Sequence, residues 1–186
     1  MKVIIFEGTD LVGKTALIEK IGKELNGGIV LKNSFRPNSI EDDSQIQYQY
    51  MIMADLIKEI SKSKFYHKMK FLFLDRFYQS QLVYSYLRGK DDLDYYLREE
   101  SNFYSSFEFF LSSLSIDIKY VWVTDWRKNI RRRFKEFGDE HIHYFEWFVL
   151  NDRYNQYFKA CILNKTKVFS SSIEDIEGLK LWIKND

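Results

Sequence analysis

The chain has 186 residues, a length that suits one compact domain and is short of that at which hydrophobic cores divide. Hydrophobic residues make up 45% of the sequence and charged residues 30%, so a packed core can form and the intrinsically disordered class is excluded. Basic residues number 28 and acidic residues 27, so no overall positive field attracts a nucleic acid polymer or a membrane surface. We therefore expect one domain over residues 1–186, with any anion recognition confined to a local site.

The cysteine content and the first residues bear on location. Cys161 is the single cysteine, so an internal disulfide cannot form. The apolar run that follows Met1 is too short for a signal peptide or a membrane span. A reducing, cytoplasmic setting is the expectation.

Short apolar runs and segments with helical spacing alternate along the chain. The runs predict five strands, at about 3–7, 29–31, 71–74, 120–123 and 167–169. The spacing predicts helices at about 14–25, 44–61, 146–163 and 173–183, with further helical patterns between the third and fourth strands. This alternation predicts a three-layer, doubly wound α/β fold around a five-stranded parallel sheet, with its ligand crevice at the carboxyl ends of the strands.

A phosphate-binding loop separates the first predicted strand from the first predicted helix. The pattern G-x-x-x-x-G-K-[ST] is met by Gly8-Thr9-Asp10-Leu11-Val12-Gly13-Lys14-Thr15, which Ala16 follows. Its glycines let the backbone wrap a phosphate, while the helix start offers unpaired N–H groups. Lys14 can reach the β- and γ-phosphates, and the Thr15 hydroxyl can ligate Mg²⁺. We predict that Gly8 to Ala16 bind ATP, with Mg²⁺ as the cofactor.

Two other classes that use this loop are disfavoured. A GTPase needs a base-reading N-K-x-D segment, and the nearest string, Asn164-Lys165-Thr166-Lys167, has lysine where the aspartate belongs. A DNA motor should have a basic stripe, whereas here the charge is balanced and the one dense basic cluster is short.

Two charged residues follow the third predicted strand directly. Asp75 and Arg76 should therefore emerge at the carboxyl edge of the sheet, beside the phosphate-binding loop. Asp75 can hold Mg²⁺ through water or orient an attacking phosphate, and Arg76 can clamp an anionic substrate through two parallel hydrogen bonds. An ion pair between the two is the structural alternative.

These residues resemble the motifs of the thymidylate kinase family. Phe6 to Thr15 is similar to F-E-G-x-D-x-x-G-K-T, and Asp75-Arg76-Phe77-Tyr78-Gln79-Ser80-Gln81-Leu82-Val83-Tyr84 is similar to D-R-Y-x-x-S-x-x-A-Y-Q. The resemblance implies that ATP phosphorylates a deoxynucleoside 5′-monophosphate, dTMP or a related pyrimidine, to the diphosphate. It also implies a homodimer.

The resemblance further implies an acceptor site. Asp10 would hold the acceptor sugar, Arg76 the acceptor phosphate, and Tyr84 would pack near the sugar, with Ser80 and Asp75 also at this site. Arg36 is similar to the arginine of the family's R-E-P-G loop and joins the phosphate site. Ser85 replaces the family glutamine that helps to read thymine, so the base preference stays open.

A cluster of cations after the fourth predicted strand predicts a lid over about 127–145. In Arg127-Lys128-Asn129-Ile130-Arg131-Arg132-Arg133-Phe134-Lys135, cations four apart can share one helix face. Such a face can close over phosphates and exclude water. Some members of the resembled family carry an arginine at Leu11, so here the lid must supply that charge. We assign catalysis to Lys14, Asp10, Arg76, Arg131 and Arg132, with Arg133 as a further candidate; the next helix resembles a family helix near Arg153 and Tyr157.

Two other functions remain open. A deoxynucleoside kinase would phosphorylate a free 5′-hydroxyl and needs a general base, for which Glu7 is the candidate. A nucleotide-binding module without turnover would regulate a partner through its lid.

Overall fold

The computed structural model describes residues 1–25, 28–32, 43–63, 70–90, 92–98, 102–114, 116–138, 142–161, 166–170 and 176–185. Its strands are β1 (Lys2–Glu7), β2 (Gly28–Lys32), β3 (Phe71–Asp75), β4 (Asp117–Thr124) and β5 (Thr166–Ser170). Its α-helices are α1 (Lys14–Glu24), α2 (Asp43–Lys62), α3 (Tyr78–Tyr84), α4 (Asp92–Leu97), α5 (Asn102–Ser113), α6 (Arg127–Phe137), α7 (Tyr144–Ala160) and α8 (Ile176–Lys184), and a 3₁₀ turn, Ser85–Arg88, follows α3.

The five strands form one parallel sheet in the order β2-β3-β1-β4-β5. The register of β1 pairs Phe6 with Asp75 on β3 and Glu7 with Trp122 on β4. The carboxyl ends of the three central strands therefore meet at one edge, where β1 enters the phosphate-binding loop. The predicted doubly wound α/β fold is confirmed.

Each face of the sheet carries its own apolar core, because successive side chains of a strand point to opposite faces. One core joins the sheet to α2, α3, α4, α5 and α7, and its strand members are Val3, Ile5, Leu72, Leu74 and Tyr120. The other joins it to α1, α6, the start of α7 and α8, and its strand members are Ile4, Phe6, Phe71, Phe73, Val121, Val123 and Phe169. The sheet and the helices packed on its two faces form the predicted three layers. The crevice lies at the edge of the sheet, between the two helical layers.

Several element boundaries differ from the prediction. Strand β4 begins at Asp117, earlier than expected, because it pairs with β1 from Lys2 onward. Helix α6 ends at Phe137, where Gly138 adopts φ 65°. Helix α7 ends at Ala160, since Cys161 is extended at ψ 140°, and α8 begins at Ile176. The expected first residues of α8, 173–175, lie outside the described residues.

Candidate active site

The phosphate-binding loop is shaped by close packing against β4. A Cβ atom on Gly8, which has φ 143°, would lie 2.2 Å from the carbonyl oxygen of Val123, so glycine alone fits there. Leu11 at φ 61° and Gly13 at φ 86° are also left-handed, and the latter directly precedes α1. Val12 is fully buried and anchors the loop, whereas Ala16 is exposed on the first turn of α1. The loop amides therefore wrap around the amino terminus of this helix.

Lys14 lies buried at the base of this loop. Its Nζ donates a hydrogen bond to the carbonyl oxygen of Thr9, at 2.7 Å. Burial, and then the nearby Arg76 guanidinium, lower the pKa of Lys14 to about 7, against the opposing pull of the neighbouring carboxylates. The ammonium is thus held in a site where an added anion would favour its charged form.

Thr15 and Asp75 come together across the crevice edge. The Thr15 Oγ1 atom donates a hydrogen bond of 2.6 Å to Asp75 Oδ2. A hydroxyl and a carboxylate side by side are the hard oxygen ligands that Mg²⁺ accepts, so these two residues fit the cation. No cluster of three or more His, Cys, Asp or Glu that could hold a metal occurs in the described part of the chain. Mg²⁺ would therefore complete its coordination with water and phosphate oxygens.

Arg76 combines a strained backbone with several side-chain partners. Its φ of 69° is uncommon for a non-glycine residue, a feature that tends to cluster at functional sites. One guanidinium nitrogen forms an ion pair with Asp10, and the other donates to Ser80 Oγ at 3.1 Å and Tyr154 Oη at 3.4 Å. The pair with Asp10 replaces the Asp75–Arg76 pair considered above.

Asp10 and Tyr84 close the same corner of the crevice. Tyr84 Oη donates to Asp10 Oδ2 at 2.9 Å, and the Arg76 guanidinium lies over the Tyr84 ring at 5.1 Å. Burial alone would raise the pKa of Asp10, but Arg76 and Lys14 outweigh it and lower that pKa below its usual value. The Asp10 side chain is 35% exposed, so an ionised carboxylate faces the crevice.

Glu7 is fully buried beneath this corner. Its two carboxylate oxygens accept hydrogen bonds from the Phe77 amide at 2.6 Å, from Ser80 Oγ at 2.6 Å and from Tyr154 Oη at 3.1 Å. Burial raises the pKa of Glu7 despite these donors. Glu7 therefore joins the end of β1 to α3 and α7.

Tyr154 and Trp147 are members of the site that the sequence did not reveal. Both lie on α7, where Trp147 Nε1 donates to the carbonyl oxygen of Asp10 at 3.2 Å. The resemblance of this helix to a helix of the thymidylate kinase family involves Arg153 and Tyr157 instead. Arg153 lies 3.7 Å from Asp94, outside this site. The apolar spacing of α7 marks Tyr154 and Trp147 as core residues, and no local signal separates them from other buried aromatics.

The three consecutive arginines of α6 have different surroundings. Arg133 donates to the carbonyl oxygen of Leu11 at 2.7 Å and pairs with Asp125 at 2.7 Å. Arg131 is exposed, and so is Arg132, which lies 3.7 Å from Glu136. The structure thus brings Arg133, rather than Arg131 or Arg132, against the phosphate-binding loop. Part of the predicted lid, residues 139–141, lies outside the described residues.

Two further positions singled out in the sequence are Ser85, where the family has glutamine, and Arg36, which the resemblance assigns to the acceptor site. Ser85, at the position of the family glutamine, is fully buried: its hydroxyl donates to the carbonyl oxygen of Leu82 at 2.7 Å and accepts from the Asp92 amide at 3.2 Å. It therefore shapes the end of α3 and does not face a ligand. Arg36 lies outside the described residues.

The fold and the loop define the class, a P-loop fold of the kinase type. The sequence matches no model of a protein family and no curated protein. Among solved structures, the YorR protein from Bacillus subtilis, in complex with phosphorylated GDP, has a TM-score of 0.67 at 19% identity, over 97% of this chain and 92% of its own.

Kinases of known substrate share this fold. Thymidylate kinase from Candida albicans has a TM-score of 0.61 at 15% identity, over 97% of this chain and 88% of its own. Deoxyadenosine kinase from M. mycoides with bound dATP has a TM-score of 0.52 at 17% identity, over 97% and 96%. At these identities the likeness establishes the fold, which agrees with the resemblance to thymidylate kinases drawn from the motifs.

Within the described ranges, no helix combines the length and apolar character that crossing a bilayer requires.

Proposed function

We propose that this chain transfers the γ-phosphoryl group of ATP to a deoxynucleoside 5′-monophosphate, dTMP or a related pyrimidine nucleotide. One observation carries the proposal: a second cation, Arg76, lies directly beside the phosphate-binding loop, where it pairs with Asp10 and donates to Ser80. The loop amides with Lys14 and this guanidinium offer places for two anions at the same edge of the sheet. A donor triphosphate and an acceptor phosphate need this pair of sites.

In this proposal, different residues of the chain bind the donor and the acceptor. Lys14 and the loop amides hold the triphosphate, and Thr15 and Asp75 hold Mg²⁺, which when bound neutralises phosphate charge. Arg76 holds the acceptor phosphate, while the exposed edge of Asp10 contacts the acceptor sugar. Among the lid arginines, the contact with Leu11 favours Arg133 for stabilising the transferring group.

The surroundings of Glu7 favour a monophosphate over a free nucleoside as the acceptor. A general base must reach the hydroxyl whose proton it takes. Glu7 has no exposed surface and already accepts hydrogen bonds from Phe77, Ser80 and Tyr154. A phosphate acceptor arrives ionised and needs no such base, whereas Arg76 is suited to binding it.

The remaining expectations belong to the same proposal. Residues 1–186 form one kinase domain with a lid at about 127–145, and the protein works in the cytoplasm as a homodimer. Met51 and Ile52 on α2 and Phe109 on α5 are exposed apolar side chains of the kind that a second copy would cover.

An ADP-release assay with Mg²⁺ and ATP, run across the deoxynucleoside monophosphates and their nucleosides, tests the proposal. We expect turnover with at least one pyrimidine monophosphate and none with nucleosides. Lys14→Ala should lower that turnover by about a thousandfold because the phosphates lose their buried cation. Lys20→Ala, at an exposed position of α1, is the matched control and should retain activity.

Each contrary result has its own meaning. Turnover with nucleosides alone would favour the deoxynucleoside kinase with Glu7 as base. ATP binding without transfer to any acceptor would favour the regulatory module. Unchanged turnover in Lys14→Ala, with a circular dichroism spectrum like that of the unaltered protein, would contradict the assignment of the loop.

A further inference from the structure

A second buried carboxylate lies outside the site described so far. Glu108 on α5 is 1% exposed. Its Oε1 atom accepts hydrogen bonds from Tyr78 on α3 and Tyr157 on α7, both at 2.7 Å, and its Oε2 atom accepts one from Tyr96 on α4 at 2.8 Å. The Tyr78 and Tyr157 hydroxyls lie 2.8 Å apart. One carboxylate thus gathers hydroxyls from three other helices, and we call these four residues the Glu108 cluster.

The cluster depends on its hydroxyl donors. Glu108 has no Lys or Arg within ion-pair distance among the described residues, so hydroxyls alone solvate its buried oxygens. Burial raises the pKa of both Tyr78 and Tyr157 well above the usual value of a phenol. The next cause is the Tyr157 hydroxyl for Tyr78 and the Glu108 carboxylate for Tyr157. Each phenol therefore keeps its proton and remains a donor. Loss of one hydroxyl leaves part of a buried carboxylate without its partner.

The cluster and the acceptor site share two helices. Tyr78 follows Arg76 by two residues, and Tyr157 lies one helical turn after Tyr154. Helices α3 and α7 therefore meet in two polar layers. The layer at the crevice joins Ser80 to Tyr154 at 2.9 Å, with Arg76 and Glu7 beside them. The deeper layer is the Glu108 cluster.

We propose that three members of the cluster, Glu108, Tyr78 and Tyr157, form a positioning device for the acceptor site: by fixing α7 against α3, they set where Tyr154 holds Arg76 and Ser80. The inference rests on the proposed function, since it assigns the acceptor phosphate to Arg76. A shift of the turn of α7 that carries Tyr154 and Tyr157, by a fraction of an ångström, would loosen the 3.4 Å contact of Tyr154 with Arg76 directly. Helix α7 contacts the donor loop about two turns earlier, through Trp147 and the carbonyl oxygen of Asp10, so the loop should be less affected. A misplacement of about 1 Å can cost about a hundredfold, so we expect about a tenfold effect from a smaller shift.

Tyr96 separates positioning from simple core stability. It donates to the same carboxylate as Tyr157, at nearly the same distance, but it lies on α4, which carries none of the site residues. Tyr157→Phe and Tyr96→Phe each remove one hydroxyl from this carboxylate and leave the ring in place. If the cluster contributes only to stability, the two variants should have the same kinetic behaviour.

The experiment compares steady-state kinetics of the full chain and of Tyr157→Phe, Tyr78→Phe and Tyr96→Phe, well below their melting temperatures. We expect Tyr157→Phe and Tyr78→Phe to raise the acceptor KM about tenfold while the ATP KM stays within about twofold. Tyr96→Phe should keep both KM values within about twofold of those of the unaltered protein.

Direct binding of the monophosphate, measured by titration calorimetry, keeps the two proposals apart. If the unaltered protein neither binds nor phosphorylates any monophosphate, the proposed function fails. If it does both, but Tyr157→Phe binds the acceptor as well as Tyr96→Phe does, the positioning inference alone is overturned. An equal loss in all three variants, or a parallel rise of the ATP KM, would also overturn it, because the cluster would then act through stability in general.

Discussion

Among single residues, Lys14 has the clearest electrostatic link to function. Burial and the neighbouring Arg76 guanidinium lower the pKa of its ammonium to about 7, so Lys14 is near the point of losing its proton at neutral pH. A bound triphosphate brings negative charge to this group and should return its pKa toward the usual value for lysine. Donor binding and the protonation of Lys14 are therefore coupled.

This coupling predicts proton uptake on ATP binding. With a pKa of about 7 in the free protein, Lys14 is mostly neutral at about pH 8, so binding should take up close to one proton. The affinity for ATP should then fall between about pH 7.5 and about pH 9, approaching tenfold for each unit, because more of the free protein lacks the proton. Titration calorimetry in two buffers of different ionisation enthalpy measures the uptake.

Lys14→Arg provides the control for this measurement, because arginine keeps its charge across the range. Its ATP binding should take up no proton at this site. An affinity of the unaltered protein that stays constant with pH, with equal heats in both buffers, would show that Lys14 is already charged before the nucleotide arrives.

Among the secondary-structure elements, α6 shows how the surroundings of a cation depend on its position around the helix axis. Arg133 faces the phosphate-binding loop through the carbonyl oxygen of Leu11, whereas Arg132 is exposed. Some thymidylate kinases carry an arginine within the loop, at the position of Leu11. In this chain Arg133 of α6 brings a guanidinium to the same place from outside the loop. The position of an arginine around the helix axis determines whether it reaches the phosphate-binding loop, and three consecutive arginines cannot all point the same way.

Alanine substitutions on α6 test this ordering. Arg133→Ala should lower kcat about a hundredfold, because the cation on the loop is lost. Arg132→Ala removes the same charge one residue away and should change kcat less than about threefold, as expected for an exposed side chain. Steady-state rates at saturating ATP and acceptor measure both. Equal losses in the two variants would mean that lid charge as a whole, and not this contact, carries the effect.

Across the whole molecule, two lysines of the sheet hold the last helix in place. Lys119 on β4 is 2% exposed and donates to the carbonyl oxygens of Trp182 at 2.8 Å and Ile183 at 3.4 Å, and also to that of Asn185. Lys2 on β1 donates to the carbonyl oxygen of Lys184 at 2.7 Å. The end of α8 leaves backbone carbonyls without partners inside the helix, and cations there are favourable. These two lysines of the sheet therefore cap the carboxyl end of α8.

Removing the buried cap should destabilise the whole fold. Lys119→Met keeps the length of the side chain but leaves buried carbonyls unpaired, at a cost of about 2 kcal/mol. For a chain of this size that lowers Tm by about 5 °C. Lys2→Met, at a more exposed position, should lower Tm less. Thermal unfolding followed by circular dichroism measures both, and a Tm for Lys119→Met equal to that of the unaltered protein would contradict the capping role.

Much of the fold and the core of the candidate site could be predicted from the sequence, because the features involved are local. A glycine-rich loop between a strand and a helix fixes its own backbone, so Gly8 to Thr15 could be recognised without tertiary information. Asp75 and Arg76 could be placed because they end a strand, and the carboxyl ends of parallel strands meet. The five strands could be predicted for the same reason, since their apolar runs are short and continuous.

The phosphate-binding loop, the parallel sheet and the edge that carries the charged residues thus follow from local features of the sequence. The partner that each side chain finds depends on the assembled fold: Asp10 rather than Asp75 for Arg76, Arg133 rather than Arg132 at the loop, and the hydroxyls that surround Glu7 and Glu108. These pairs join elements far apart in sequence, and their geometry depends on how helices cross the sheet, which local spacing does not encode.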